Sequence, residues 1–193
     1  MKKSFLNLSL MSLLILSVSC VEDKPQQNSN QKARVRLQMA SYTTAYQELF
    51  NLFIPSGYAA VTTLRLCFKR VRFKLTDADD TGGDDDNIDF AIGEVDLGSS
   101  GADLGSVEVP AKSYKRIEFD LEPKCASGKS LDLSNSHGNY TSTDRITIKF
   151  SGNFEAKDGD VLTLAPQKII DALESYKGNT RLTDVAENVC GSV

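Results

Sequence analysis

A run of acidic residues is the densest group of possible metal ligands in the chain. Thr76 to Asp89 (TDADDTGGDDDNID) holds seven aspartates in fourteen residues. Calcium takes roughly six to eight oxygen ligands, so clustered carboxylates are candidates for a calcium site. Asp77, Asp79 and Gly82 occupy positions 1, 3 and 6 of an EF-hand-like loop. Position 12, which must be a bidentate acid, is Ile88, so the sequence favours a solvated acidic loop over a metal site.

The single histidine, His137, is the next candidate for chemistry. It lies in the polar stretch Ser134 to Asn139, between serines and asparagines. Serine–histidine hydrolysis needs an orienting acid and a nucleophile that often sits in a G-x-S-x-G turn, and no such turn occurs in the sequence. We therefore expect His137 in a surface loop, no catalytic residues, no resident metal or cofactor, and a protein that is not an enzyme.

The N-terminal segment indicates export. Lys2 and Lys3 precede a mostly apolar stretch, Phe5 to Val18, that is interrupted by one asparagine and three serines. A transmembrane helix needs roughly 20 predominantly apolar residues, so this stretch is too short and too interrupted to span a bilayer. Its length, the positive start and the small residues after it are typical of a signal peptide, residues 1–19.

The end of that segment resembles the lipobox of bacterial lipoproteins. It reads Leu16-Ser17-Val18-Ser19-Cys20. In that family the cysteine thiol receives a diacylglycerol, the signal is removed before the cysteine, and the new amino terminus is acylated. The resemblance implies lipidation at Cys20 and attachment to membrane lipid. Val21 stands where aspartate retains some lipoproteins in the inner membrane, so the resemblance also implies the outer membrane.

A second interpretation of the same residues stays open. Ser17-x-Ser19 fits the small-x-small pattern of ordinary signal cleavage. Cys20 would then be a plain thiol at the mature N-terminus.

The remaining cysteines predict a disulfide, because an exported chain enters an oxidising compartment. Cys67 lies inside a strand-like run and Cys125 immediately follows another, so we favour a bond between these two. Cys190 is three residues from the C-terminus, where fraying would let it reach either partner. No C-x-x-C or histidine-flanked spacing indicates a redox or zinc motif.

The negative net charge of the chain argues against some classes of binding partner. The formal net charge is -4, and loss of Lys2 and Lys3 with the signal makes it -6 for the remaining 174 residues. Phosphate-backbone binding needs a basic footprint, so an acidic chain argues against nucleic acid. A mature chain of this length is enough for one domain with a sizeable core.

The pattern along the mature chain predicts strands. Residues 20–32 form a polar tether, and Ala33, Val35, Leu37 and Met39 then alternate with polar residues. The longest strand-like run, Val61 to Leu75, changes phase near Lys69-Arg70, which indicates either a bulge or a strand that passes from one sheet to the other. Further strand-like runs follow: Ile88 to Leu97, Leu104 to Val109, Tyr114 to Leu121, Ser130 to Leu133, Arg145 to Phe150 and Val161 to Leu164.

Seven or eight short strands without intervening helices predict an all-β, antiparallel β-sandwich over residues 33–165. The spacing changes after Pro166, where Ile169, Ile170, Leu173 and Tyr176 repeat at helical intervals. We expect residues 166–193 to be a helical extension of one or two short helices that packs on the sandwich.

A second resemblance concerns the segment Val107 to Pro123 (VEVPAKSYKRIEFDLEP). It resembles a turn-and-strand signature, V-P-A-G-x-Y, of secreted bacterial β-sandwiches with immunoglobulin-like or prealbumin-like topology. Pro110, Ala111 and Tyr114 match the signature, and Lys112 replaces its glycine. The resemblance implies an immunoglobulin-like sandwich in a lipid-anchored protein of unknown activity, without catalytic residues to carry over.

Two functions remain at this point. The first is a lipid-anchored envelope protein, located at the outer membrane, whose sandwich is a non-catalytic structural or protein-interaction module. The alternative is a ligand-binding module for carbohydrate, or one that depends on calcium, using loops at one end of the sandwich. The chain has no tryptophan and its tyrosines are scattered, which favours the first.

Overall fold

The computed structural model describes residues 31–42, 61–76, 87–88, 90 and 92–193. These residues form two sheets and two short helices around one hydrophobic core. The arrangement is mostly β and is consistent with the predicted all-β sandwich, but two of its strand pairs are parallel, so the predicted antiparallel pairing does not hold throughout. Within the described ranges, no helix is long and apolar enough to cross a membrane.

The described residues form eleven strands, where the sequence predicted seven or eight. They are β1 Lys32–Met39, β2 Thr63–Leu75, β3 Asn87–Ile88, β4 Gly93–Asp96, β5 Ala102–Pro110, β6 Ser113–Leu121, β7 Leu131–Asn135, β8 Gly138–Ser142, β9 Ile146–Glu155, β10 Val161–Leu164 and β11 Cys190–Ser192. The two helices are α1 Gln167–Glu174 and α2 Leu182–Glu187.

The small sheet has the order β10-β1-β5. Its central strand β1 alternates buried and exposed residues because only one face meets the core, as the apolar alternation predicted. β1 pairs in parallel with β10 and antiparallel with β5.

The large sheet has the order β11-β9-β6-β2-β7-β8, with β3 and β4 also paired to β2. The register between β2 and β6 shifts between Phe68 and Arg70, and β2 stays in the large sheet, so of the two predicted alternatives the structure has the bulge. β6 and β7 follow each other along one edge of β2. At the junction, Cys67 accepts a hydrogen bond from the Glu122 N–H at 3.1 Å and donates its own N–H to the Ser130 oxygen at 3.0 Å.

Aromatic side chains of β2, β6 and β9 form much of the core. Phe119 meets Phe68 edge to face at 5.2 Å between ring centroids and meets Phe150 at 5.9 Å. Tyr114 stacks on Phe154, and its hydroxyl donates to the Pro110 carbonyl oxygen at 2.8 Å. The edge-to-face pairs of Phe119 add stability beyond the area that they bury.

The hydrogen bond from the Tyr114 hydroxyl to Pro110 holds the turn between β5 and β6.

The C-terminal residues add a strand to the predicted helical extension. α1 and α2 lie where the helical spacing placed them, and β11 then pairs in parallel with β9. Ser192 also exchanges two backbone hydrogen bonds with Ala165, which follows β10, so β11 joins the two sheets. The expectation that Cys190 frays is wrong, because this short strand is held on both sides.

The close approach at β11 depends on a glycine. A Cβ added to Gly191 would lie 2.5 Å from Phe150 Cδ1 and 2.6 Å from the Ala165 oxygen. Gly191 therefore allows β11 to enter between β9 and the end of β10, a fit that residue spacing alone does not reveal.

Candidate functional site on the outer face of the large sheet

Charged side chains are concentrated on the face of β2, β6 and β9 that points away from the core. Register places Arg72 of β2 opposite Glu118 of β6, and Glu118 opposite Lys149 of β9. Two register pairs further along, on the same face, Asp120 lies between Arg70 of β2 and Thr147 of β9. The flanking positions of β6 point inward into the core, so strand alternation turns these polar groups to one side.

Asp120 is the most deeply buried of these acids, with no exposed surface. Its Oδ1 accepts hydrogen bonds from Arg72 Nη2 and from Thr147 Oγ1, both at 2.9 Å. Its Oδ2 accepts a bond from Arg145 Nη2. Burying an ionised carboxylate is costly unless its oxygens are paired and hydrogen-bonded, and here both are.

Glu118 is shared by two arginines. Arg72 Nη2 lies 3.1 Å from Glu118 Oε2, and Arg116 Nη2 lies 2.7 Å from Glu118 Oε1. The exposed fraction of the Glu118 residue is 4%. Arg72 thus bridges Glu118 and Asp120, and the guanidinium groups cover both carboxylates.

The arginines of this network keep unused donors. The Nε atoms of Arg72 and Arg116 are enclosed and have no hydrogen-bond acceptor. An enclosed donor without an acceptor is uncommon in proteins and calls for an explanation. The two carboxylates of the network therefore leave one N–H of each of these guanidinium groups without an acceptor.

A second ion pair lies on the exposed face of the small sheet. Arg36 Nε donates to Asp103 Oδ1 at 3.2 Å, and its Nη2 donates to Oδ2. This pairing, with a bond from the Gly105 N–H, lowers the pKa of Asp103 from 3.8 to about 2. Both side chains are half-exposed, so the pair contributes little to stability.

The structure joins Cys67 to Cys125, the pair that the sequence favoured. The sulfurs are bonded, and the Cα atoms are 5.8 Å apart. The bond ties the loop between β6 and β7 to β2 at the residue where that loop leaves the sheet. Cys190 is a free, exposed thiol.

His137 lies in the two-residue turn between β7 and β8 and is exposed, as predicted for a surface loop. Its N–H donates to Asn135 Oδ1 at 2.8 Å, and its carbonyl oxygen accepts from the Tyr140 hydroxyl. The histidine thus takes part in the turn through its backbone.

Other predicted sites fall outside the described residues. Cys20 is one, and the Asp-rich segment is another, apart from Thr76, Asn87 and Ile88 at its borders. Within the described part of the chain, no group of three or more histidine, cysteine or acidic side chains is arranged to hold a metal ion.

A void of about 10 Å³ lies between α1 and the inner sheet faces. Its wall is apolar and includes Leu64, Phe150 and Leu173. It has room for about one water-sized sphere, far less than a small-molecule site of roughly 300 Å³ needs. This void is therefore a packing gap in the core.

No protein-family model matches the chain, and comparison with curated proteins and with solved structures gives no significant match.

Proposed function

We propose that this is a lipid-anchored protein of the bacterial envelope, attached through Cys20, whose domain is a non-catalytic structural or protein-interaction module. The observation that carries the proposal is the position of Cys20. It directly follows a signal-like segment and precedes a polar tether that leads into β1 at Lys32. Several acyl chains on one cysteine would anchor a protein stably, whereas one chain binds only marginally.

The Cys67–Cys125 disulfide supports the exported location. Structural disulfides form and persist in oxidising compartments and are rare in the cytosol. Because these two cysteines are bonded to each other, Cys20 and Cys190 are the remaining thiols of the chain. Acylation of Cys20 leaves Cys190 without a partner in its own chain.

The state of the buried acids supports a non-catalytic role. Catalytic carboxylates commonly face a cleft that substrate can enter. Glu118 and Asp120 instead lie beneath the arginines that neutralise them. Their geometry is that of a structural ion network.

The immunoglobulin-like topology and the outer-membrane location belong to the same proposal. Immunoglobulin-like sandwiches often carry a tyrosine whose hydroxyl bonds to the backbone a few residues upstream. The Tyr114 hydroxyl makes such a bond to Pro110, inside the segment that resembles the family signature. Val21 after the cysteine is the basis for the outer membrane.

Metabolic labelling tests the anchor. The full chain is expressed in a bacterium grown with an alkyne-bearing palmitate, and the label on the protein is measured. We expect the wild type and Cys190→Ser to carry the label and to enter the detergent phase of a temperature-induced phase separation. We expect Cys20→Ser to lose the label and to retain its signal peptide.

The matched cysteine variants separate the two interpretations of the signal. A wild type without label, together with a Cys20→Ser chain that is cleaved normally before residue 20, would establish ordinary signal cleavage and refute the anchor. Loss of label from Cys190→Ser alone would move the acylation site and also refute it.

A further inference from the structure

The outer face of the large sheet is more positive than the chain as a whole. Its paired charges are the cations Arg72, Arg116 and Arg145 and the anions Glu118 and Asp120. Lys149 belongs to the same face, opposite Glu118 in the register. These six residues sum to +2, and Arg70 and Lys74 of β2, which share the face, raise the sum to +4, whereas the whole chain has a formal net charge of -4.

Exposure differs between the two signs of charge. The side chains of Arg116 and Arg145 are 37% and 53% exposed. Those of Glu118 and Asp120 are 6% and 0% exposed. A molecule approaching this face therefore meets guanidinium groups first, and the carboxylates lie beneath them.

The unused donors point to a ligand with acceptor oxygens. Arg72 Nε and Arg116 Nε have no acceptor, although both guanidinium groups already bind Glu118. Guanidinium groups bind carboxylates through two parallel hydrogen bonds where geometry allows. An incoming carboxylate can satisfy donors that Glu118 leaves unmet, once the arginines turn towards it.

The spacing of the cations suits an extended chain. Arg72 and Arg116 lie on neighbouring strands and are offset by two register pairs, which is one step along the outward face, because Arg116 is opposite Lys74. Neighbouring strands are about 4.8 Å apart, and residues on one face of a strand repeat at about 6.8 Å. Alternate acidic residues of an extended peptide have the same repeat.

We propose that this face, the outer surface of β2, β6 and β9 around Arg72, Arg116, Arg145 and Lys149, binds an acidic, extended segment of a partner protein. The inference deepens the protein-interaction role proposed above and rests on it. Charge complementarity steers such partners and sets their specificity more than it adds affinity.

Binding of fluorescent poly-L-glutamate to the full mature chain tests the proposal by anisotropy. We expect saturable binding that weakens as salt rises, because exposed charges are screened over about 10 Å at 0.1 M salt. The double variant Arg116→Gln/Lys149→Gln should bind about tenfold more weakly. The variant Arg116→Lys/Lys149→Gln, which keeps the positive charge at position 116, should bind more tightly than Arg116→Gln/Lys149→Gln.

The matched control is Lys168→Gln/Lys177→Gln, which removes the same charge from exposed lysines on and after α1. It should bind like the wild type. Equal weakening by both double variants would mean nonspecific attraction and would overturn the proposal. Thermal melting of each variant confirms that a loss of binding is not a loss of fold.

Three further results would also overturn it. One is no binding by a folded wild type. The second is binding of polyphosphate of equal charge without binding of poly-L-glutamate. The third is that poly-L-glutamate binds only to the triple variant Asp84→Asn/Asp85→Asn/Asp86→Asn and not to the wild type. The chain's own acidic segment, and not a partner protein, would then be the ligand of this face. Failure here leaves palmitate labelling at Cys20 unaffected, so the anchor and this surface are tested separately.

Discussion

The side-chain amide of Asn135 donates a hydrogen bond to the Leu173 carbonyl oxygen at 2.9 Å, which links the end of β7 to the last turn of α1. The same amide lies 2.9 Å from the Tyr176 oxygen and 3.4 Å from the Glu174 oxygen. The last carbonyls of a helix lack partners within it, so a buried amide that satisfies them fixes the helix on the sheet.

Substitution of Asn135 should weaken the docking of α1. Asn135→Ala leaves buried carbonyl oxygens unsatisfied and should lower the free energy of unfolding by about 1–3 kcal/mol. Asn135→Asp should cost more, because an ionised carboxylate would face the negative end of the helix. Urea denaturation measures both. Asn139→Ala, an exposed neighbour on β8, is the control and should change stability by less than about 0.5 kcal/mol.

Removal of different members of the ion network should lower the free energy of unfolding by very different amounts. Asp120→Ala leaves Arg72 without one of its two acids in a buried site and should lower the free energy of unfolding by about 3–5 kcal/mol. Arg145→Ala should cost less, because Arg145 is half-exposed and Asp120 keeps Arg72 and Thr147. Equal losses in the two variants, measured by thermal and urea unfolding, would contradict this description of the network.

Removal of the disulfide should destabilise the domain through the unfolded state. The bond closes a loop with a sequence separation of 58 residues. Cys67→Ala/Cys125→Ser should lower the free energy of unfolding by about 2–4 kcal/mol. Cys190→Ser should unfold like the wild type, because Cys190 is exposed and unbonded. If the double variant were as stable as the wild type, the disulfide would not stabilise the fold by restricting the unfolded chain, and the prediction would be refuted.

The Asp103 carboxyl should titrate at low pH in the folded protein. Its pKa is lowered from 3.8 to about 2 by the Arg36 guanidinium, so the ion pair stabilises the folded state above pH 4 and is lost as the pH falls towards 2. Carbon-detected NMR of the side-chain carboxyl measures the midpoint. Arg36→Gln should move the midpoint up towards 3.8, and an unchanged midpoint would exclude Arg36 as the cause.

Apolar alternation was enough to predict the longer strands and the bulge in β2, because each of those strands buries one face. It did not predict β8 (GNYTS), whose residues have no such alternation and which pairs through its backbone with β7. β11 was missed because three residues carry no periodicity. Its place depends on Gly191 fitting against Phe150, a contact that requires the folded structure.

The sequence predicts which charged residues point outward from β2 and β6, but not which of them are buried. Arg70, Arg72 and Lys74 alternate along β2, and Arg116, Glu118 and Asp120 alternate along β6, which is the pattern of outward positions. Alternation predicts exposure for all of them. The burial of Asp120 depends on the register that brings arginines from two other segments over it, and register between distant strands cannot be derived from spacing within one strand.

The intact mass of the mature protein, purified from membranes, tests the anchor at Cys20 most directly. We expect a polypeptide that begins at Cys20 and carries the added mass of a diacylglyceryl group and an amide-linked acyl chain, with Cys190 still open to alkylation. An unmodified polypeptide beginning at Cys20 would contradict this expectation.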